Sequence, residues 1–155
     1  MTTPNRPDQI GHPDPSAAER FRSTRRAHRD ETAEDYVEAI DQLINTRSKA
    51  RVGELAKLMG VSHVTVTRII ARLCKEGLVT REPHQPIELT ESGQKMAMES
   101  HERHQVVLAF LRAIGVDESQ AQIDAEGIEH HVSAQTLDAM RSQIARLSPP
   151  AQGDP

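Results

Sequence analysis

The stretch DAEGIEHHVS, residues 124–133, sets two glutamates and two histidines around a glycine that a helix interior disfavours. On a helix, successive side chains turn by roughly 100°. With Glu126 as zero, Glu129 falls at about −60° and His130 at about +40°, while His131 points away at about 140°. Glu126, Glu129 and His130 therefore share one face. The same arithmetic puts Asp35 and Glu38 on one face of an earlier helix, and His101 and His104 on one face of a later one. Carboxylates at this density repel, so gathering them needs a cation or a shift to the protonated form. The chain has one cysteine, Cys74, which excludes an internal disulfide and a thiolate-rich zinc or iron–sulfur site. Any metal is then held by oxygen and nitrogen. A single DxxE or HxxH pair is most often solvated surface; ExxEH is rarer, and spacing alone does not say whether the three groups meet.

The elements that must carry these residues are mainly helical. From Ser16 the pattern SAAE resembles a capping box, and helical spacing runs on through Phe21, Tyr36, Val37, Ile40, Leu43 and Ile44. This predicts one long helix, or two with a break near residue 30. Thr90 caps a long helix whose stripe is Val106, Val107, Phe110, Leu111 and Ile114. Asp117 opens another that runs to about His131, and Ser133 caps a last one with Leu137, Met140, Ile144 and Leu147 on one side.

Between these lies RVGELAKLMGVSHVTVTRIIARLCKEGLV, residues 51–79. Val52, Leu55, Ala56 and Met59 form one side of a short helix that Gly60 ends, and Ser62 is a natural N-cap for the next. That second helix turns Val66, Ile69, Ile70 and Leu73 inward and leaves His63, Thr65, Thr67, Arg68 and Arg72 free. Two short helices around a glycine turn make a helix-turn-helix, whose second helix reads a major groove with its N-terminal residues. The runs LVTR and IEL then flank a turn from Pro83 to Pro86 that holds His84 and Gln85, as the wing of a winged helix-turn-helix would. Ser62, His63, Thr65, Thr67, Arg68, Arg72, His84 and Gln85 are the candidate DNA contacts. Cys74 reads as a small core residue.

Charge is segregated within a net −4. Residues 30–46 carry six acids and no Lys or Arg, whereas residues 47–86 carry eight basic and three acidic residues. A locally basic block in an acidic chain suits an anionic partner, of which nucleic acid is the commonest large one, and the winged helix-turn-helix makes that double-stranded DNA. Residues 1–29 hold six arginines against three acids, and Arg20–Arg29 form a basic helical face. No run of about 18 apolar residues and no charged-then-apolar leader appears, which predicts a cytoplasmic protein without a membrane span. The expected organisation is a disordered arm at 1–15, a helix plus winged helix-turn-helix at 16–90, a helical metal-binding and dimerisation domain at 91–148, and a flexible tail at 149–155. Three amphipathic helices with so few aromatics make a small core, so a homodimer is expected to complete it.

The order of DYVEAI on a helix, a winged helix-turn-helix, RHQ before an apolar helix, and DAEGIEHHVS resembles the manganese-responsive repressors of the diphtheria toxin repressor family. The likeness spans roughly residues 18–147. It implies a binuclear site for two Mn(II) ions per chain, with Asp35, Glu38, His104, Glu126, Glu129 and His130 as ligands and His101 outside the set. It further implies a repressor that binds a palindromic operator as a homodimer and takes no small-molecule substrate. Iron-responsive members are similar but place Met and Cys where Asp35 and Glu126 stand. Hard oxygen donors favour Mn(II), a weak binder that geometry and ligand number must select. An iron- or zinc-responsive regulator on the same fold is the nearest alternative, and a two-metal hydrolase a distant one. Ligating imidazoles must be neutral, so metal response is expected to weaken below about pH 6.5.

Overall fold

The computed structural model describes residues 17–147. The arm at 1–15, the Ser16 cap and the tail at 149–155 lie outside the described residues. Helix α1 spans Ala17–Arg47, α2 Val52–Met59 and α3 His63–Lys75. Strands β1, Val79–Arg81, and β2, Ile87–Leu89, pair antiparallel. Helices α4, Glu91–Ala113, α5, Glu118–Ile128, and α6, Ala134–Leu147, follow, with a 3-10 turn at Glu129–His131.

Local chemistry sets the helix-turn-helix. Gly60 takes φ 66°, a left-handed conformation that a side chain disfavours, and its N–H closes α2 on the Ala56 carbonyl. Two residues later the Ser62 hydroxyl accepts the Thr65 N–H at 3.1 Å and starts α3. The wing is anchored as well as paired, because the Ile87 N–H donates to the Ala50 carbonyl at 2.8 Å.

Two cores share one helix. Val37 and Ile40 of α1 pack with Leu55, Val66, Ile70, Leu73, Val79 and Ile87 in the first. Val107, Leu108 and Leu111 of α4 pack with Ala121, Ala125 and Leu137 in the second. Helix α4 enters the first core through Ala97, and α1 lies against α4. Its docking is tight at the start. A Cβ on Gly93 would stand 2.0 Å from the Leu78 carbonyl oxygen, and the Thr90 hydroxyl donates to the Gly77 carbonyl at 2.7 Å. The start of α4 is thus fastened directly to the residues that lead into the wing.

Three expectations are corrected here. Helix α1 runs unbroken through residue 30, but its Phe21 is 66% exposed, with no other described element packed over it. Helix α5 stops at Ile128 rather than His131, tightening into the 3-10 turn before the extended Val132 and the Ser133 cap of α6. Ile114 and Leu147 are exposed rather than packed.

Candidate functional site

The 3-10 turn keeps Glu126, Glu129 and His130 on the site side and leaves His131 exposed. Glu129 is 1% exposed, whereas Glu126, one turn earlier on α5, stands mostly in solvent. Both still reach one imidazole. His104 of α4 sets Nδ1 2.5 Å from Glu129 Oε2 and 3.7 Å from Glu126 Oε1. His130 sets Nε2 3.2 Å from Asp35 Oδ1 on α1 and 3.6 Å from the other Glu129 oxygen. Glu38, one turn along α1 from Asp35, buries Oε1 with no hydrogen-bond partner. Its charge also acts on Glu129. Five of the six expected residues are thus joined by close approaches, and Glu38 is coupled to them through Glu129. They come from α1, α4 and the α5 end. His101 stays exposed and outside the cluster.

Sequence reasoning missed two residues that hold the cluster in place. Glu34 sets Oε2 2.8 Å from His130 Nδ1, and its other oxygen lies 2.7 Å from Arg103 Nη2. Arg103 precedes His104 in the RHQ stretch, the one local signal that could have pointed to it. Glu34 carried no such signal, since its partners lie on other elements.

Protonation shows how these groups settle without a cation. Burial pushes the Glu129 carboxyl up to about 7, with His104 opposing and Glu38 adding to the rise. Hydrogen bonds to Asp35 and then to Glu34 raise His130 to about 10, against the cost of its own burial. Burial also works against ionised Glu34, yet the His130 hydrogen bond and the Arg103 charge hold it below the usual carboxylate value. Both shifts favour the protonated form, so a divalent cation would compete with protons at these two groups.

The residues fit such a cation. The donor atoms of His104, Glu126 and Glu129 all lie within 4.8 Å of one another, and the orphaned Glu38 Oε1 lacks any other partner. With Glu34 on Nδ1, a neutral His130 would keep its proton there and offer Nε2 as a ligand, the usual carboxylate–histidine arrangement around metals. A cleft of about 510 Å³, lined by Asp35, Glu38, Glu126 and His130, gives access from solvent.

The helix-turn-helix and the wing present the candidate DNA contacts. Ser62, His63, Thr67 and Arg68 are exposed on the first two turns of α3, and Thr65 is half-buried with its hydroxyl 2.9 Å from that of Ser62. His84 and Gln85 sit exposed at the wing tip, where His84 takes φ 65°. Between wing and α2, Arg51 and Arg81 join them around a cleft of about 280 Å³. Those two arginines, and Val64 at 79% exposure on the first turn of α3, carry no signal in the sequence pattern that singles them out. Arg72 is the correction. Instead of standing free it donates to the Arg29 carbonyl at 3.3 Å and lies 3.7 Å from Glu76, so it ties α3 to α1.

A winged-helix body, a helical body and a mixed carboxylate–imidazole cluster bridging them define a metal-responsive DNA-binding regulator. Residues 30–86 match the iron dependent repressor N-terminal DNA binding domain, and residues 90–155 the iron dependent repressor metal binding and dimerisation domain. The chain belongs to the iron-dependent repressor family of transcriptional regulators. It is 48% identical over 123 residues to the transcriptional regulator MntR of Escherichia coli O157:H7, covering 79% of each chain. Against MntR of Salmonella typhimurium the identity is 47% over 121 residues, covering 78% of this chain and 77% of that one. The solved manganese-dependent transcriptional repressor in complex with manganese superposes with a TM-score of 0.65 at 28% identity, over 73% of this chain. The matched part is 52% of that solved chain, so this chain spans about half its length. Among the described residues, no helix is long and apolar enough to cross a membrane.

Proposed function

We propose that this chain is a Mn(II)-responsive repressor that binds a palindromic operator as a homodimer and controls manganese homeostasis genes in the cytoplasm. The observation that carries the reading is the convergence of Asp35, Glu38, His104, Glu126, Glu129 and His130 from three helices, with no sulfur among them. Hard donors of this kind suit Mn(II). We assign these six as the ligands of two ions per chain. A bound divalent cation supplies the positive charge that lets the carboxylates stay ionised side by side. The division at residue 90 into a DNA-binding part and a metal-binding, dimerising part belongs to the same reading.

Asp35 and Glu38 sit on α1, whose next turns build the DNA-binding core through Ile40 and Leu43. His104, Glu126, Glu129 and His130 sit on the second body. Drawing the two sets together fixes how the recognition helix stands relative to the dimer axis. In a two-fold dimer that sets the separation of two recognition helices, which must match half-sites one or more DNA turns apart. Ser62, His63, Thr65, Thr67 and Arg68 read the groove, and His84 and Gln85 of the wing touch the flanking strand. Metal at a hundredfold over its dissociation constant contributes about 2.7 kcal/mol to the competent state if it binds that state alone. That corresponds to roughly a hundredfold in DNA affinity.

The test is binding to a duplex recovered from a random-sequence pool by selection with Mn(II). Binding is measured in EDTA and then with Mn(II), Fe(II) or Zn(II). Tight binding with Mn(II) and loss in EDTA is expected. A stronger response to iron or zinc would move the assignment to those ions. Undiminished binding in EDTA would overturn metal control and reopen catalytic uses of the cluster.

A further inference from the structure

The family match begins at residue 30, yet α1 begins at Ala17. Its first turns are rich in arginine, and nothing in the proposed mechanism uses them. With Arg29 as reference, the helical 100° step puts Arg22 at about +20°, Arg26 at about +60° and Arg25 at about −40°. The four arginines therefore form one stripe. Arg29 fixes where that stripe points, because its guanidinium lies 2.7 Å from Glu76 at the end of α3, while Arg72 of α3 grips the Arg29 carbonyl. Arg22, Arg25 and Arg26 face the same side one to two turns beyond the body. They are exposed, and none has an ion-pair partner among the described residues.

We propose that Arg22, Arg25 and Arg26 form an arm that engages the DNA backbone outside the half-site read by α3 and the wing. The inference rests on the DNA-binding reading above and extends its footprint. Helix α3 is about 20 Å long and the major groove about 12 Å wide. With the first turn of α3 at the base edges, its far end reaches a phosphate wall or passes beyond it. The clamp of Arg29, Arg72 and Glu76 sits at that end and holds the arm in fixed relation to α3. Arginines are well suited to phosphate recognition. Residues 30–46, the acidic part of the same helix, cannot share this role, so the anion-seeking surface is confined to the first turns.

The full-length chain carrying R22A, R25A and R26A together tests this with Mn(II) and the selected duplex. Alanine is the best helix former, so α1 is retained. The slope of log affinity against log salt should fall by about 0.9 for each phosphate no longer neutralised, up to about 2.7 per chain. Selected and random duplexes should weaken by the same factor, since the phosphate backbone carries no sequence information. The wild type should prefer a duplex with long flanks over one trimmed to the site, and the variant should not. Lysine at all three positions should restore most of the slope. An unchanged slope and flank preference would overturn the proposal, as would a shift of the variant from dimer to monomer, which would assign the arm to the partner chain. Failure of the wild type itself to bind DNA with Mn(II) would sink this inference and the repressor reading together. Binding by the wild type with no change in the variant would sink this one alone.

Discussion

Glu34 and His130 stand 96 positions apart in the chain, yet the Glu34 carboxylate lies 2.8 Å from the His130 Nδ1. This pairing joins α1 to the turn after α5 without using any atom of His130 that faces Asp35 or Glu129. Arg103 holds the other Glu34 oxygen, so the carboxylate is fixed from both sides. In the proposed site Glu34 would be a positioning residue, holding the ring of its neighbour with Nε2 towards the cation. Glu34→Ala should lower Mn(II) affinity by about 10- to 100-fold, the usual effect of losing such a partner. Titration against a competing fluorescent chelator measures it. An unchanged affinity would mean that His130 is held by its packing alone.

The pH response follows from His130 and Glu129. Both carry folded pKa values above their ordinary ones, about 10 and about 7, so the metal-free fold holds protons that the unfolded chain releases. Their stabilisation is complete below the unfolded values and is lost as pH rises, through 4.5 to about 7 for Glu129 and 6.5 to about 10 for His130. Metal-free protein should therefore melt at lower temperature at pH 9 than at pH 6. Metal binding must displace these protons, so Mn(II) affinity should keep rising well above pH 6.5, about tenfold per unit near pH 8. Calorimetric titration from pH 6.5 to 8.5 checks this, and a flat profile would contradict it. The sequence alone puts the limit at about 6.5, because an isolated imidazole titrates there.

Glu126 is the exposed member of the cluster and tolerates change without disturbing a core. Glu126→Cys exchanges a hard donor for a soft one. Selectivity, read as the ratio of Mn(II) to Fe(II) or Co(II) affinity, should shift towards iron or cobalt. Unaltered manganese preference would remove Glu126 from the ligand set.

Arg68 and Arg72 lie four residues apart on α3 and differ in what they touch. Arg68 is exposed on the recognition side, whereas Arg72 is tied to Arg29 and Glu76. Arg68→Ala should weaken operator binding by about 1–3 kcal/mol and leave Mn(II) affinity intact. Arg72→Ala should act mainly on thermal stability. Equal loss of DNA and metal binding in Arg68→Ala would indicate a folding defect instead.

What the sequence makes legible is what local chemistry decides. Gly60 and Ser62 mark the turn of the helix-turn-helix because a left-handed glycine and a hydroxyl cap act within a few residues. Val66, Ile70 and Leu73 are buried as their spacing requires. The end of α5 falls three residues short of its expected place, because the switch to a 3-10 turn depends on the Val132–Ser133 exit and on packing against α4. The face shared by Glu126 and Glu129 survives, since residues three apart stay aligned in a 3-10 turn as well. The roles of Glu34 and Arg72 are illegible for a different reason. Their partners are 96 and 43 positions away, and no periodicity encodes such a distance. Phe21 shows the converse: helical spacing marks it as inward, but no other described element covers it.

Mn(II) affinity measured with and without saturating operator duplex tests the central claim most directly. If metal and DNA both favour one arrangement of the α1 body against α4 and α5, each must tighten the other by the same factor. Operator DNA should raise Mn(II) affinity by roughly a hundredfold, equal to the gain in DNA affinity that Mn(II) produces. Identical Mn(II) affinities in the two titrations would show that the cluster binds metal without setting the recognition helices.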